Sequence, residues 1–289
     1  MKGNGCGADR ELSSKAAVQA YRAPLEELYA YYNHRAFVHP DPLEFLYRFE
    51  SAADIEVAGL IASSLAYGRV AQILRSVDTV LTNLEYSPAG FLTDSKDSDL
   101  EKRFSSFVHR FTTGGEMAQF LINTRQVLKK YGSLGRCFRD AFRSSDLTVL
   151  PALSAFVARL SGGVSCRRFS LLASPDDGSA CKRLNLFLRW MIRRDEVDPG
   201  CWDGISQQKL IVPLDTHMFS LGRTMGLTTQ RCAGMKAAVE ITDSFRLISP
   251  EDPVKYDFSL TRLGIRNDDE SALLKEKLFT SRSEDQVAK

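Results

Sequence analysis

The sequence predicts an all-α fold, on three observations. Apolar residues recur at three- and four-residue spacing in segment after segment. Alternating runs of the strand type are almost missing, no Asn-Gly turn joins two such runs, and no internal repeat is present. Gly, Pro and Asp punctuate the segments where helices would stop. With 289 residues the chain can bury a large core. We expect a flexible N-terminus over 1–20, one two-lobed helical domain over 21–268, and a flexible charged tail over 269–289.

Taken in order, Leu25, Leu28, Tyr29 and Tyr32 form a first helical stripe, broken at His39-Pro40-Asp41-Pro42. Pro42 to Phe49 reads as a loop or a helical turn. From Asp54, the positions Ile55, Ala58, Gly59, Ala62 and Leu65 predict a strong helix, followed by a turn at Ala66-Tyr67-Gly68-Arg69. Val70 to Leu84 is helical again, and Ser87-Pro88-Ala89-Gly90 marks a turn. Thr93 to Glu101 is charged and reads as a loop. Phe104, Phe107, Val108 and Phe111 make an apolar face ending at Thr112-Thr113-Gly114-Gly115. Met117 to Tyr131 is a helix that Gly132 stops, with Lys129 and Lys130 in its last turn. Leu134 to Phe142, Thr148 to Leu160, Met235 to Phe245 and Lys255 to Leu263 continue the pattern. The tail from Asn267 has few apolar residues and is expected to be weakly structured.

Composition excludes several classes. The 38 Lys+Arg nearly balance 36 Asp+Glu, so any nucleic-acid surface must be local rather than a global field. No apolar run approaches the roughly 20 residues of a bilayer span, and the first residues have no apolar signal core. A cytoplasmic protein without membrane contact is expected. Cys6, Cys137, Cys166, Cys181, Cys201 and Cys232 are scattered without a C-x-x-C pair, and His34, His39, His109 and His217 show no ligand spacing. No zinc or iron–sulfur site is indicated, and no cofactor is expected.

The stretch from Gly178 to Arg223 carries the chemistry. A small-residue turn, Gly178-Ser179-Ala180-Cys181, delivers Lys182 to the start of an amphipathic helix, and Asp215 stands at the mouth of the next one. An amine and a carboxylate at two helix starts suit nucleophilic attack by lysine, with the carboxylate managing charge. Lys182, Asn185, Arg189 and Arg193 share one face of the helix. That face is either an ordinary solvated cationic surface or one that meets phosphates, with the amides of the turn assisting. Asp215 is an ordinary N-cap residue, a role compatible with catalysis because backbone donors keep a carboxylate ionised. Lys209 is a competing amine, expected on a solvated loop. Trp202 suits either stacking on a base or packing in a core.

Pro213 to Leu227, PLDTHMFSLGRTMGL, resembles the V-D-T-H-V-x-R-x-x-x-R-L-G-L segment of the helix-hairpin-helix DNA glycosylases, the endonuclease III superfamily. Gly178 to Lys182 is similar to that family's G-x-G-x-K hairpin, with Ala180 in place of the second glycine. Ile61 to Gly68 resembles the helix and loop before its lesion-gap residues, and Asp257 to Gly264 its closing D-x-A-L-x-x-L-G helix. The missing iron–sulfur cysteines look most like the archaeal 8-oxoguanine glycosylase branch. As a whole, over roughly residues 25 to 268, the chain resembles a domain-of-unknown-function family within that group. Two departures stand out. Ser174-Pro175-Asp176-Asp177 replaces an apolar Leu-Pro-Gly, placing two acids where phosphate would bind, and Ser220 stands where an arginine is usual.

The resemblance implies a DNA glycosylase/AP lyase that excises an oxidised purine. Lys182 would attack the sugar C1′ and Asp215 would stabilise the cation there. The partner would be double-stranded DNA with a damaged base, bound by a monomer in the cytoplasm at the nucleoid. Gly178, Ser179, Ala180, Asn185, Arg189 and Arg193 would contact DNA, as would Arg69 beside Tyr67, the candidate wedge or else a core tyrosine. A non-catalytic nucleic-acid-binding module and an all-α scaffold without DNA activity remain the alternatives.

Overall fold

The computed structural model describes residues 16–162, 170–266 and 269–287. Helices account for nearly all of the regular structure, so the protein is all-α. α1 (Arg22–Tyr32) buries Leu25, Leu28 and Tyr32, three of the four residues in the expected stripe. The segment after His39-Pro40-Asp41 is a 3₁₀ helix, Pro42–Arg48. Proline at its start and the Asp41 carboxylate, which accepts from Leu43 N at 3.0 Å, set its first turn.

Two helices form the centre of the core. α2 (Ala52–Ser64) is buried from Glu56 through Ser64, and it packs against the helix Lys182–Ile192 and the 3₁₀ helix. Gly59 permits that approach, since a Cβ there would lie 2.9 Å from Met191 Cε. α3 (Val70–Asn83) follows the Tyr67–Arg69 turn as predicted. The turn expected at Ser87-Pro88-Ala89-Gly90 instead opens α4 (Pro88–Asp94), where proline suits a helix start, and the charged stretch expected to be a loop over Thr93–Glu101 runs through the end of α4 into α5 (Asp97–Phe104). The physical reason is placement of charge. Asp97 and Asp99 lie in the first turn of α5 and Lys102 and Arg103 in its last, complementing the helix dipole while Leu100 and Phe104 are buried.

The apolar face expected through Phe111 stops at Phe107. The chain then makes a two-stranded antiparallel hairpin, β1 (Val108–His109) and β2 (Thr112–Thr113), with Val108 paired to Thr113 and His109 to Thr112. α6 (Gly114–Tyr131) starts in a capping box between Thr113 and Glu116 and ends at Gly132, which adopts φ 79° as a helix stop requires. α7 (Leu134–Ala141) and α8 (Leu150–Leu160) pack on it and on each other.

α9 (Lys182–Ile192) is buried along almost its whole length; its first turn and Leu186 are only partly exposed. α10 (Thr216–Thr224), α11 (Met235–Ile248) and α12 (Asp257–Ile265) complete the region around its start. The expected weak tail is a helix, α13 (Asp269–Val287). Its few apolar residues are enough because Leu274 and Leu278, four apart, are buried, and Ser271 shares a 2.8 Å hydrogen bond with Tyr32. At the other end, residues 16–19 are helical with Val18 buried, so order begins before residue 20; residues 1–15 lie outside the described ones. No helix is long and apolar enough to cross a membrane among the described residues.

Candidate active site

Lys182 and Asp215 meet. Lys182 Nζ stands 3.7 Å from Asp215 Oδ2, and each side chain is 34% exposed. The two oxygens of Asp215 divide their work. Oδ1 accepts from Met218 N at 2.8 Å, capping α10, which leaves Oδ2 for the amine. The capping and catalytic readings of Asp215 are therefore geometrically compatible. Lys182 borders a cavity of about 510 Å³, between the Tyr67–Gly68 turn on one side and Ser179, Ala180 and Leu214 on the other.

The turn before Lys182 leaves backbone amides beside a helix start. Gly178 and Cys181 adopt left-handed conformations at φ 73° and 47°, folding the chain back on itself. Ser179 Oγ accepts from Cys181 N at 3.2 Å, and no side chain caps α9. The amides of Ser179 and Ala180 make no hydrogen bond among the described residues. They lie beside the open N-terminus of an 11-residue helix, where partial positive charge accumulates. Asp176, held by Ser154 at 2.9 Å, and Asp177 oppose that charge nearby. Burial, ahead of those two acids, pushes the Cys181 thiol up to about 11.

Three residues expected on a DNA-facing surface are buried instead. Arg189 and Arg193 are each 3% exposed and Asn185 only 1%. Asn185 Nδ2 donates to Ala180 O at 3.0 Å, so it braces the turn from beneath. Arg189 bridges Asp198, at 3.1 Å, and Asp257; Arg193 bridges Asp198, Asp195 at 2.9 Å and Asp252 at 2.8 Å. Helical spacing places these residues on one face, but the other elements of the fold cover that face. Four carboxylates thus share two guanidiniums. Burial opposes the arginines' charge, yet Asp198 and its neighbours hold both above the ordinary guanidinium value. Burial also pushes Asp257 up to about 6, with Arg189 pulling it down and Asp215 pushing the same way as burial.

Tyr67 is half-buried on the cavity rim. Its hydroxyl donates to His109 O at 3.0 Å and meets Thr112 Oγ1 at 2.6 Å, and its ring lies edge-on to His109. Arg69 is exposed. Trp202 packs in the core among Phe138, Phe156 and Phe187, with Nε1 donating to Glu56 at 2.9 Å. Lys209 donates to Ser144 O at 2.7 Å and to Asp146 O, and it does not line the cavity.

Arg183 is a cavity residue that the helical-face argument passes over. It donates to Ser64 O and Ser170 O, both at 2.7 Å, and its guanidinium lies 5.0 Å from the Tyr67 ring centroid. It ties α9 to the end of α2. A clearer signal existed for the buried ion network, because the acid-rich turn Asp195-Glu196-Val197-Asp198 begins two residues after Arg193, just past the helix that carries Arg189. Cys137, Cys181, Cys201 and Cys232 are free thiols; Cys6 and Cys166 lie outside the described residues. No cluster able to hold a metal occurs among the described residues.

The fold and site define an all-α protein with an amine–carboxylate pair whose lysine lines a cavity. The chain belongs to the family described as Protein of unknown function (DUF2400), whose model matches residues 41–266 and so includes both members of the pair. No curated protein and no solved structure matches the chain.

Proposed function

We propose that the protein is a DNA glycosylase with AP lyase activity, acting on an oxidised purine through Lys182. The observation that carries this reading is the 3.7 Å approach of Asp215 Oδ2 to Lys182 Nζ, which lines the cavity. The target base leaves the stack and enters the cavity, bringing its sugar to the amine. A bond forms between the neutral Nζ amine and C1′ while the glycosidic bond breaks, its electron pair leaving with the base, which takes up the proton that Nζ sheds. Asp215 Oδ2 stabilises positive charge at C1′ as that bond weakens. Opening of the sugar ring gives an imine between Lys182 and C1′. Loss of a C2′ proton then expels the 3′ phosphate and cuts the strand. The uncapped start of α9 and the amides of Ser179 and Ala180 support phosphate binding beside the lesion.

The test uses duplexes carrying single oxidised purines or an abasic site, with borohydride present. Wild-type protein forms a permanent cross-link on at least one of them, because borohydride reduces the imine to an amine. Absence of cross-linking across the whole set rejects the lyase chemistry.

A further inference from the structure

Arg183 is a second cation in the cavity wall beside Lys182, and neutral groups alone hold it. Its guanidinium donates to Ser64 O and Ser170 O, both at 2.7 Å, and lies 5.0 Å from the Tyr67 ring centroid. Two neighbours could supply a negative charge, the Tyr67 hydroxyl and the Cys181 thiol. Both keep their protons. Tyr67 donates to His109 O at 3.0 Å, and Cys181 donates to Ala173 O at 3.4 Å. Arg183 therefore has no anionic partner among the described residues. Burial pulls its guanidinium below the ordinary value, and no carboxylate resists that pull.

The other two arginines around this helix are treated differently. Arg189 and Arg193 are matched by Asp195, Asp198, Asp252 and Asp257. Lys182 is matched by Asp215 at 3.7 Å. A charge withdrawn from water without a partner is costly, so a cation left in this state favours a site that an anion can enter. The cavity offers that entry, since no carboxylate lines it among the described residues. A guanidinium has five N–H donors, and the two carbonyl bonds leave others free for a ligand. Ile73, Leu171, Leu184 and Leu214 supply apolar wall, which strengthens any charge interaction made there. At about 510 Å³ the cavity is within the range of small-molecule pockets.

We propose that Arg183 receives the negative charge of the departing base, and that the cavity takes bases that leave as anions and refuses cationic ones. This rests on the glycosylase reading above and adds selection by charge to it. As the bond to C1′ breaks, its electron pair moves onto the base. Arg183 donates hydrogen bonds to that base and keeps its own protons; the charge disappears when the base takes up the proton shed by Nζ. An oxidised purine is neutral in DNA and departs as an anion. A purine alkylated at N7 is cationic in DNA and departs neutral. It meets the guanidinium on entry and gains nothing from it on departure.

The experiment uses duplexes alike except at one position, which holds 8-oxoguanine, 7-methylguanine or an abasic site. Single-turnover base release, corrected for spontaneous loss, and borohydride cross-linking are measured for full-length wild type, Arg183→Gln and Arg183→Lys. The wild type should release 8-oxoguanine and leave 7-methylguanine in place. Arg183→Gln keeps a donor and removes the charge, so release of 8-oxoguanine should fall on the order of 100-fold. Its cross-linking to the abasic duplex should match the wild type, because no base has to leave. Arg183→Lys, which keeps the charge, should recover part of the release. Unchanged release in Arg183→Gln, or wild-type release of both bases, overturns the proposal and leaves the glycosylase reading standing. Loss of abasic cross-linking in step with base release makes Arg183 a structural tie and also overturns it. A wild type that cross-links to none of the duplexes overturns both.

Discussion

The imidazole of His217 fills the space in which any side chain at Gly264 would begin. A Cβ there would lie 1.7 Å from His217 Nε2, an atom that is buried without a hydrogen-bond partner. This contact joins α10, which Asp215 caps, to α12, which carries Asp257. Gly264→Ala should displace the ring and with it the start of α10. A loss of about 1–3 kcal/mol is expected from overpacking of this kind. Urea denaturation should record it, and cross-linking should weaken in parallel.

Lys182→Gln should abolish borohydride cross-linking, because it keeps the length and removes the amine. Lys209→Ala should cross-link as the wild type does, since Lys209 serves the loop at Ser144 and Asp146 and does not line the cavity. Cross-linking that follows Lys209 instead would move the nucleophile to the other amine.

Asp215→Asn should keep the cap on α10, because asparagine also accepts from the amide that Oδ1 now holds. Thermal stability should change by a few tenths of a kcal/mol. Base release should fall roughly 100-fold or more with loss of the charge facing the sugar. Equal losses of stability and activity would leave Asp215 as a cap alone.

Arg189→Ala should cost about 3–5 kcal/mol, since it strands Asp198 and Asp257 in the core without their cation. Substituting this residue should leave the salt dependence of DNA binding unchanged in whatever protein remains folded. A reduced log–log slope would mean that Arg189 reaches phosphate after all.

Asp257 gives a pH signature. Its carboxyl rises from 3.8 to about 6 on folding, chiefly through burial. The folded state then binds more protons than the unfolded state between those values. The contribution of Asp257 to stability is therefore largest below about pH 4 and is lost as pH rises to about 6. Relative to Asp257→Asn, which does not titrate, the wild type should lose stability across that window. Denaturation at pH 4, 5, 6 and 7 checks the sign.

Much of the helix pattern was legible because apolar spacing records which face is covered. Val70–Asn83 and Gly114–Tyr131 lie within a few residues of their expected bounds. Asp97–Phe104 was not legible as a helix because charges that favour helix ends also populate loops. The places of Lys182 and Asp215 at two helix starts were legible from the turn and the cap. The burial of Arg189 and Arg193 was not, because a helical wheel places residues on a face without saying what covers it. Their partners Asp252 and Asp257 lie far along the chain. Phe111 continued an apolar face in sequence, and only the hairpin shows that it points away from the core.

Helix α9 reaches the cavity with its first turn and is clamped along the rest by core and ion pairs. An amine mounted this way has a backbone with little freedom to move. The side chain of Lys182 can pivot, but its Cα is set by residues up to three turns away. Under the proposed function, alignment then falls to the incoming molecule, whose reacting carbon has to arrive at a fixed point. Under that same function, a stiff substrate would be turned away even where its chemistry matched.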